Sequence, residues 1–263
     1  MNPAAQRGQP ASALEHLIMR RAGQAIGDFG LVKEGDRILV GISGGKDSFA
    51  LLRILELLRR RFVFEFQLVP VFVDPGWDPA AAGLIQERLA GQGFSVEVVG
   101  TDIHKRVNSC LRPGTNPCAL CSRLRRGWLY DLAPERGCNK IALGHHLDDF
   151  VETLLLNQFH NGQLKSMAIF LRSDDGRNVV IRPLAYVERE LLVGFSRECG
   201  FEPVEVCCPY HTRSQDPRRV TMTRIIEQMC LVEPRTRRNL LAALKHVRPT
   251  HLMDTGLQQK HNR

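Results

Sequence analysis

Apolar residues fall into five short runs, separated by segments that have the spacing of amphipathic helices. The runs lie at residues 36–42, 66–74, 95–102, 140–146 and 178–184, and each predicts a β-strand. Helices are expected from Ser12 onwards and at residues 46–62, 84–90, 147–159 and 188–199. Because the runs are nearly continuous rather than alternating, they predict a parallel sheet with helices on both faces. The expected fold class is α/β, a doubly wound parallel sheet with additional helices.

A polar stretch and a helical tail complete the predicted organisation. Residues 112–127 ("RPGTNPCALCSRLRRG") are expected to start as a loop and to become helical near Arg123. The chain beyond residue 205 is expected to be mostly helical. We therefore predict an N-terminal helical segment at residues 1–30 and a central domain at 31–205. A C-terminal helical segment at 206–263 is expected to pack on the same domain.

Unusual polar sequences follow the predicted strands at their carboxyl ends, where parallel sheets bind ligands. "SGGKDS" (residues 43–48) follows the first strand, Asp74 ends the second, and "GHHLDD" (residues 144–149) follows a later one. Arg182 of "RPL" ends another strand, and is a weaker candidate for a phosphate contact. The acidic pair in "GHHLDD" would also be favoured at a helix N-terminus by the helix dipole alone.

The segment "SGGKDS" resembles a phosphate loop but does not match that of nucleotide hydrolases. Their pattern would place a glycine at Val40 and a serine or threonine at Asp47. Gly44 and Gly45 still let the backbone approach an anion, and the next helix offers free N–H groups. Asp47 would repel a triphosphate unless a divalent cation lay between them. Magnesium, which prefers carboxylate and phosphate oxygens, is therefore the expected ion at Asp47.

The charge balance favours a polyanionic partner. The chain has 36 basic and 28 acidic residues, a net charge of +8, with several local arginine clusters. These clusters fit RNA binding, although solvated helix faces are the alternative interpretation of each one. The first residues lack the features of a secretory signal, and no apolar run approaches the ~20 residues of a membrane span. We expect a cytoplasmic protein without a membrane partner.

The cysteines are expected to be reduced and partly functional. Eight occur in the chain, and two pairs are clustered, Cys118/Cys121 and Cys207/Cys208. Clustered cysteines in the cytosol more often indicate metal or redox chemistry than disulfides. The other four, at positions 110, 138, 199 and 230, are most simply interpreted as small buried residues.

"SGGKDS" resembles the PP-loop of the ATP pyrophosphatase superfamily, and "GHHLDD" resembles the second ATP motif of its tRNA-modifying members. The resemblance implies a Rossmann-like adenine nucleotide alpha hydrolase fold. It also implies cleavage of ATP between the α and β phosphates, with transfer of AMP to a substrate oxygen. By this resemblance the ATP-binding residues are Ser43, Gly44, Gly45, Lys46, Asp47, Ser48, Asp74, Gly144, His145, Asp148 and Asp149, with Lys46 and Asp47 catalytic.

A wider set of motifs is similar to the tRNA 2-thiocytidine synthetases. "NPCALCSRLRRG", "KIALGHHLDD", "SDDG", "VIRPLAY" and "PTHLMDT" occur in order between about Ala13 and Thr255. The resemblance implies an ATP-dependent sulfurtransferase that adenylates the C2 oxygen of a cytidine in the tRNA anticodon loop. Sulfur would then arrive through a [4Fe–4S] cluster on three cysteines. The implied partners are tRNA and a sulfur donor such as a cysteine desulfurase; a homodimer is left open.

Two of the three implied cluster ligands map directly onto the motif, and the third does not. Cys118 and Cys121 form the C-x-x-C. In the family pattern the third cysteine comes shortly before a "GSQ" sequence. If "RSQ" (residues 213–215) corresponds to that "GSQ", the cysteine would fall at Thr212. A "CPY" context, found in related two-thiouridine enzymes, favours Cys208 over Cys207. His211 leaves a Cys₃His zinc site as an alternative.

Two other functions compete with cytidine thiolation. The same adenylating chemistry could act on another tRNA base or on a small molecule. The chain could also be a non-catalytic RNA-binding protein with a structural metal, but "GHHLDD" and the Lys46–Asp47 pair would then have no purpose. Arg123, Arg125 and Arg126, which follow the C-x-x-C, are the expected tRNA contacts.

Overall fold

The computed structural model describes residues 12–112, 116–173, 175–204, 208–210 and 216–261. These residues form two compact units. The first comprises the chain up to His146 together with Ala168–Asp216, and the second comprises Leu147–Met167 and the chain from Pro217. Among the described residues, no helix has both the length and the apolar character needed to cross a membrane.

The first unit contains a six-stranded sheet in the order β3-β2-β1-β4-β6-β5. Its strands are β1 (Arg37–Ile42), β2 (Gln67–Asp74), β3 (Glu97–Gly100), β4 (Lys140–Ala142), β5 (Phe170–Arg172) and β6 (Val179–Ile181). All neighbours are parallel except β5 and β6, which pair antiparallel. The sequence did not predict β5, because this edge strand has only three residues and all of them are exposed.

Ten α-helices lie in the described chain. Those of the first unit are α1 (Ala13–Phe29), α2 (Lys46–Arg59), α3 (Ala81–Gly91), α4 (Ile103–Cys110), α5 (Pro117–Glu135) and α7 (Arg189–Glu198). Those of the second unit are α6 (Leu147–Asn161), α8 (Pro217–Val232), α9 (Thr236–Ala243) and α10 (Thr255–His261). The helix α4 was not predicted from the sequence.

Side chains on both faces of the sheet are buried, which confirms the doubly wound α/β fold. Ile38 and Val40 of β1 belong to one core cluster, with α1, α2 and α7. Leu39, between them, belongs to a second cluster with α4 and α5. Successive residues of a strand point to opposite faces, so each face is covered by its own helices.

A buried ion pair joins the turn before β1 to β4. Lys140 Nζ lies 2.5 Å from Asp36 Oδ2 and also donates to the Leu31 carbonyl at 2.9 Å. The other carboxylate oxygen of Asp36 accepts from Asn139 Nδ2 at 2.9 Å, and Lys33 N donates to Oδ2 at 2.6 Å. The network therefore holds the start of β1 against the start of β4.

The helix α5 begins at Pro117, so the prediction that it starts near Arg123 was wrong. The Asn116 side chain accepts hydrogen bonds from Cys118 N at 2.9 Å and Ala119 N at 3.2 Å. An asparagine cap followed by proline is a strong start signal, and here it outweighs the loop composition of the preceding residues. The C-x-x-C therefore lies on the first turns of a helix.

The cysteines outside the clusters differ in burial. Cys138 is buried, whereas Cys199 and Cys230 are half-buried. Cys110 is exposed at the end of α4, which corrects the expectation that it is a buried residue.

Candidate nucleotide and thiol site

The turn after β1 can be built only with glycine at position 44. Gly44 has φ +83°, and a Cβ there would lie 2.9 Å from Ile85 Cδ1 and 3.3 Å from the Val204 carbonyl oxygen. The Gly44 carbonyl accepts a hydrogen bond from Val204 N at 3.0 Å. The left-handed backbone and the close neighbours together exclude larger residues.

Two serine hydroxyls hold this turn against the start of α2. Ser48 Oγ donates to the Gly45 carbonyl at 2.9 Å and accepts from Ser43 N at 3.1 Å. Gly45 N donates to Ser43 Oγ at 3.3 Å. Gly45 itself caps α2 without any side-chain hydrogen bond. The N–H groups of the first turn of α2 are consequently left for an external anion.

Asp47 carries a buried oxygen whose hydrogen-bonding capacity is not used. Lys46 Nζ donates to Asp47 Oδ2 at 3.0 Å. Asp47 Oδ1 is buried and accepts no hydrogen bond from any described residue. His146 Nε2 lies 3.9 Å from this oxygen, which is too far for a hydrogen bond. A buried carboxylate oxygen without a donor is unfavourable, and a divalent cation would satisfy it, so these residues fit the predicted magnesium ion.

Gly144 allows the segment after β4 to approach the first turn of α2. A Cβ at this position would lie 2.9 Å from the Asp47 carbonyl oxygen, 3.0 Å from its carbonyl carbon and 3.1 Å from Ser48 N. All three are backbone atoms, which cannot move aside as a side chain can. Residues 144–146 of "GHHLDD" and the loop "SGGKDS" are thus brought together.

His145 and Arg182 form a second pair at the same edge of the sheet. Arg182 is buried, and its Nε donates to His145 Nδ1 at 3.1 Å. Its Nη1 donates to the Ala168 carbonyl. Because Nδ1 accepts, a neutral His145 carries its proton on Nε2. The predicted contacts of His145 with the nucleotide and of Arg182 with phosphate stay predictions.

Asp74 ends β2 and shapes the turn that follows it. Its Oδ1 accepts from Gly76 N at 2.8 Å, and its carbonyl accepts from Thr101 N at 3.0 Å. Gly76 has φ +78°, and a side chain there would collide with His104. The carboxylate therefore supports the turn; its predicted place beside adenosine stays a prediction.

Asp148 and Asp149 belong to the second unit, where arginines pair with them. Asp148 is buried, and Arg237 Nε of α9 donates to its Oδ1 at 2.8 Å. Arg219 Nη1 of α8 lies 3.7 Å from Asp149 Oδ1 and 3.7 Å from Glu152 Oε2. Arg237 is therefore largely buried and ion-paired with Asp148. The predicted role of the two aspartates in nucleotide binding remains to be tested.

The C-x-x-C cysteines lie about one helical turn apart on α5 and are both half-buried. Arg123 and Arg126, farther along the same helix, are exposed, and Arg125 is half-buried. A cluster or metal that binds at the start of this helix would therefore have basic side chains within two turns of it.

The segment Cys208–Tyr210 is anchored to the same core cluster as Cys121. Tyr210 Oη donates to Asn108 Oδ1 at 2.8 Å, and its ring packs edge-on to Trp77 at 5.5 Å between centroids. Cys208 is half-buried, two residues before this anchor. The predictions for Cys207, His211 and Thr212 lie outside the described residues.

Cysteine thiolates are the usual ligands of iron–sulfur clusters, and Cys118, Cys121 and Cys208 offer three of them; a [4Fe–4S] cluster bound by these three would keep one iron without a cysteine. In the part of the chain that the structure describes, however, no three His, Cys, Asp or Glu side chains are grouped closely enough to hold a metal ion. The thiols fit the cluster by type.

Trp77 is a residue of this region that the sequence analysis missed. It follows Asp74 by three positions, and its indole Nε1 is buried without an acceptor among the described residues. Its ring also packs edge-on to His104 at 5.9 Å. The signal in the sequence was a tryptophan directly after "DPG". A buried indole N–H normally has a hydrogen-bond partner, so its lack of one among the described residues is notable.

Comparison with known proteins agrees with the fold and the motifs. The sequence model of the PP-loop domain family matches residues 14–205. The tRNA-cytidine(32) 2-sulfurtransferase of Syntrophotalea carbinolica is 47% identical over 241 residues, covering 92% of this chain and 93% of the relative. The enzyme of the same name from Geobacter metallireducens is 46% identical over 242 residues, covering 92% and 94%.

One solved structure shares the architecture at lower sequence identity. The U34-tRNA thiolase NcsA from Methanococcus maripaludis, solved with its [4Fe–4S] cluster, superposes with a TM-score of 0.71 at 20% identity. The match covers 94% of this chain and 86% of that one, and it establishes the common fold. The family matches and the loop geometry lead to one conclusion: this chain belongs to the PP-loop family of tRNA-cytidine(32) 2-sulfurtransferases.

Proposed function

We propose that this protein thiolates a cytidine of the tRNA anticodon loop after adenylating its C2 oxygen with ATP. The observation that carries the adenylation step is the buried, unsatisfied Oδ1 of Asp47 inside an anion-binding turn. A carboxylate in that position is unfavourable for phosphate binding unless a cation joins them. The names of the relatives support tRNA as the substrate and cytidine as the base.

The turn at residues 43–48 would bind the β and γ phosphates of ATP through its backbone N–H groups. Lys46 would neutralise part of their charge, and Asp47 would hold the magnesium ion. In the proposed step the cytidine O2 forms a bond to the α phosphorus, the bond from that phosphorus to the bridging oxygen breaks, and pyrophosphate leaves. The negative charge on pyrophosphate stays beside Lys46 and the helix N-terminus, which stabilise the transition state.

The adenylated O2 is the leaving group of the second step. A sulfur nucleophile forms a bond to C2, the C2–O2 bond breaks, and AMP departs with the former cytidine oxygen. When bound, a [4Fe–4S] cluster would supply that sulfur at the iron that no cysteine ligates. Cys118, Cys121 and Cys208 are the residues that would hold the cluster, with Cys207 the alternative to Cys208. Asn116, by capping α5, fixes the helix start on which two of these thiols lie.

Arg123, Arg125 and Arg126 would contact the tRNA phosphates. Binding through three phosphate contacts should weaken as salt rises, with a log–log slope of about −2 to −3. Neutralising one of the three arginines should make that slope shallower, reducing its magnitude by about one. A slope that stays the same would mean that the arginine in question does not contact phosphate.

The direct test is mass spectrometry of nucleosides from total tRNA of a strain that lacks this gene. We expect 2-thiocytidine to disappear on deletion and to return with the wild type. Cys118→Ala should not restore it, whereas Cys110→Ala, which changes an exposed cysteine outside the site, should restore it fully. Loss of a different thionucleoside would assign another base, and an unchanged set would refute tRNA thiolation.

Metal analysis of protein purified without oxygen separates the cluster from the zinc alternative. We expect about four irons per chain in the wild type and in Cys110→Ala. Cys118→Ala and Cys121→Ala should lose most of that iron. One zinc per chain and no iron would instead support the Cys₃His site that His211 suggests.

A further inference from the structure

A cavity of about 370 Å³ lies at the end of the sheet opposite to the nucleotide turn. Its floor is Leu68 and Pro70 at the start of β2, and its walls are the last turns of α2 and residues 91–95. The cavity exists because β3 pairs only with residues 71–74 of β2, so the first half of β2 has no strand neighbour on that side. None of its lining residues belongs to the turn at residues 43–48.

Arg53 lies in the wall of this cavity and makes no hydrogen bond to another described residue. Its side chain is half-buried, and its Nε is buried without an acceptor among the described residues. The nearby carboxylate of Glu56 is already used, because Arg59 donates to both its oxygens and Arg60 Nε donates to Oε1 at 2.9 Å. The three guanidinium groups of Arg53, Arg59 and Arg60 therefore have only one carboxylate among the residues that line the cavity, that of Glu56. A buried donor without an acceptor is rare in proteins and needs an explanation.

The other polar groups around the cavity do not supply this acceptor. The end of α3 is closed on itself: Gly93 N donates to the Ala90 carbonyl at 2.9 Å and Phe94 N to the Leu89 carbonyl at 2.9 Å. Gln92 Nε2 points elsewhere, to the Cys199 carbonyl at 3.0 Å. The cavity thus has a positively charged wall, in which Arg53 Nε lacks an acceptor among the described residues, and an apolar floor.

We propose that this cavity binds a small anionic molecule, a carboxylate or a phosphate ester with a short apolar body. Arg53 would hold the anionic group, because a guanidinium binds such groups through two parallel hydrogen bonds. Leu68, Pro70 and Phe94 would contact the apolar body. The volume falls within the range of about 300–1,000 Å³ that is usual for small-molecule sites. This site is separate from the nucleotide turn and does not depend on the proposed thiolation.

The test must separate the cavity from the nucleotide turn, since both attract phosphate. Lys46→Ala removes the phosphate-binding lysine of the turn and serves as the parent. Calorimetric titration of this parent with inorganic phosphate, phenyl phosphate and benzoate measures the remaining site. We expect phenyl phosphate or benzoate to bind at least tenfold more tightly than inorganic phosphate, because only they can fill the apolar floor. Comparing these two probes then distinguishes a phosphate site from a carboxylate site.

Adding Arg53→Gln to the parent should lower the affinity for the better probe at least tenfold. The matched control is Arg20→Gln, which removes the same charge from an exposed position of α1. It should leave the affinity unchanged. Arg53 makes no hydrogen bond within the described chain, so the melting temperatures of both variants should match that of the parent. Equal affinities with and without Arg53, or no binding of any probe at millimolar concentration, would overturn the proposal.

Discussion

Gly144→Ala is the substitution that most sharply tests how closely residues 144–146 approach the turn at residues 43–48. The added Cβ would lie 2.9 Å from the Asp47 carbonyl oxygen and 3.0 Å from its carbonyl carbon. Ordinary contacts of a Cβ are 3.4–4 Å, so the two backbones must separate. Relief by side-chain rotation is impossible here. Overpacking of this kind costs about 1–3 kcal/mol, and the rigidity of the backbone places this case in the upper half of that range.

The expected effect appears both in stability and in nucleotide binding. For a chain of this size, each kcal/mol lowers the melting temperature by about 2–4 °C, so we expect a loss of about 4–12 °C. Moving Asp47 and Ser48 would also misplace the proposed magnesium ligand and the hydroxyl of the turn. Misplacement by about 1 Å is enough to lower the rate of thiolation roughly a hundredfold. Thermal unfolding, ATP titration and 2-thiocytidine formation measure the three effects.

Gly83→Ala is the matched control, because a Cβ at this exposed position of α3 meets nothing within 4 Å. It should stabilise the protein by about 0.5–1 kcal/mol through helix propensity. If Gly144→Ala melted within 1 °C of the wild type and bound ATP equally well, the close approach of the two segments would be wrong.

Three further substitutions test the framework around the site. Lys140→Met leaves the buried carboxylate of Asp36 without its cation and should cost about 3–5 kcal/mol in urea unfolding; a loss below 1 kcal/mol would contradict this. Burial raises the pKa of the Cys199 thiol to about 11, above its ordinary value near 9, so the folded state keeps this proton longer than the unfolded state does. Its contribution to stability is therefore full below pH 9 and is lost as the pH rises to about 11, and Cys199→Ala should make the unfolding free energy fall less over that window. Asn116→Ala removes the cap of α5 and should cost about 1 kcal/mol while lowering the iron content, and an unchanged iron content would show that the cap does not support the thiols.

The sequence alone determined five of the six strands and the residue types of the turn after β1. Strand runs and helical spacing are local properties, so they located β1, β2, β3, β4 and β6 without knowledge of the packing. The motif "SGGKDS" likewise located the turn at residues 43–48 that we propose binds an anion, because the glycine spacing and the following helix are properties of consecutive residues. A local signal was overlooked at α5, where Asn116 and Pro117 mark the helix start.

Only the tertiary structure decided which polar groups are satisfied. That Asp47 Oδ1 is buried without a donor, while Asp148 is paired with Arg237, depends on residues far apart in the chain. The same holds for Arg53, whose neighbour Glu56 is used by other arginines. A sequence shows which charged side chains are present, but their burial and their pairing are decided only when distant segments pack together. For that reason the fold and family could be read from the sequence, and the state of each charge could not.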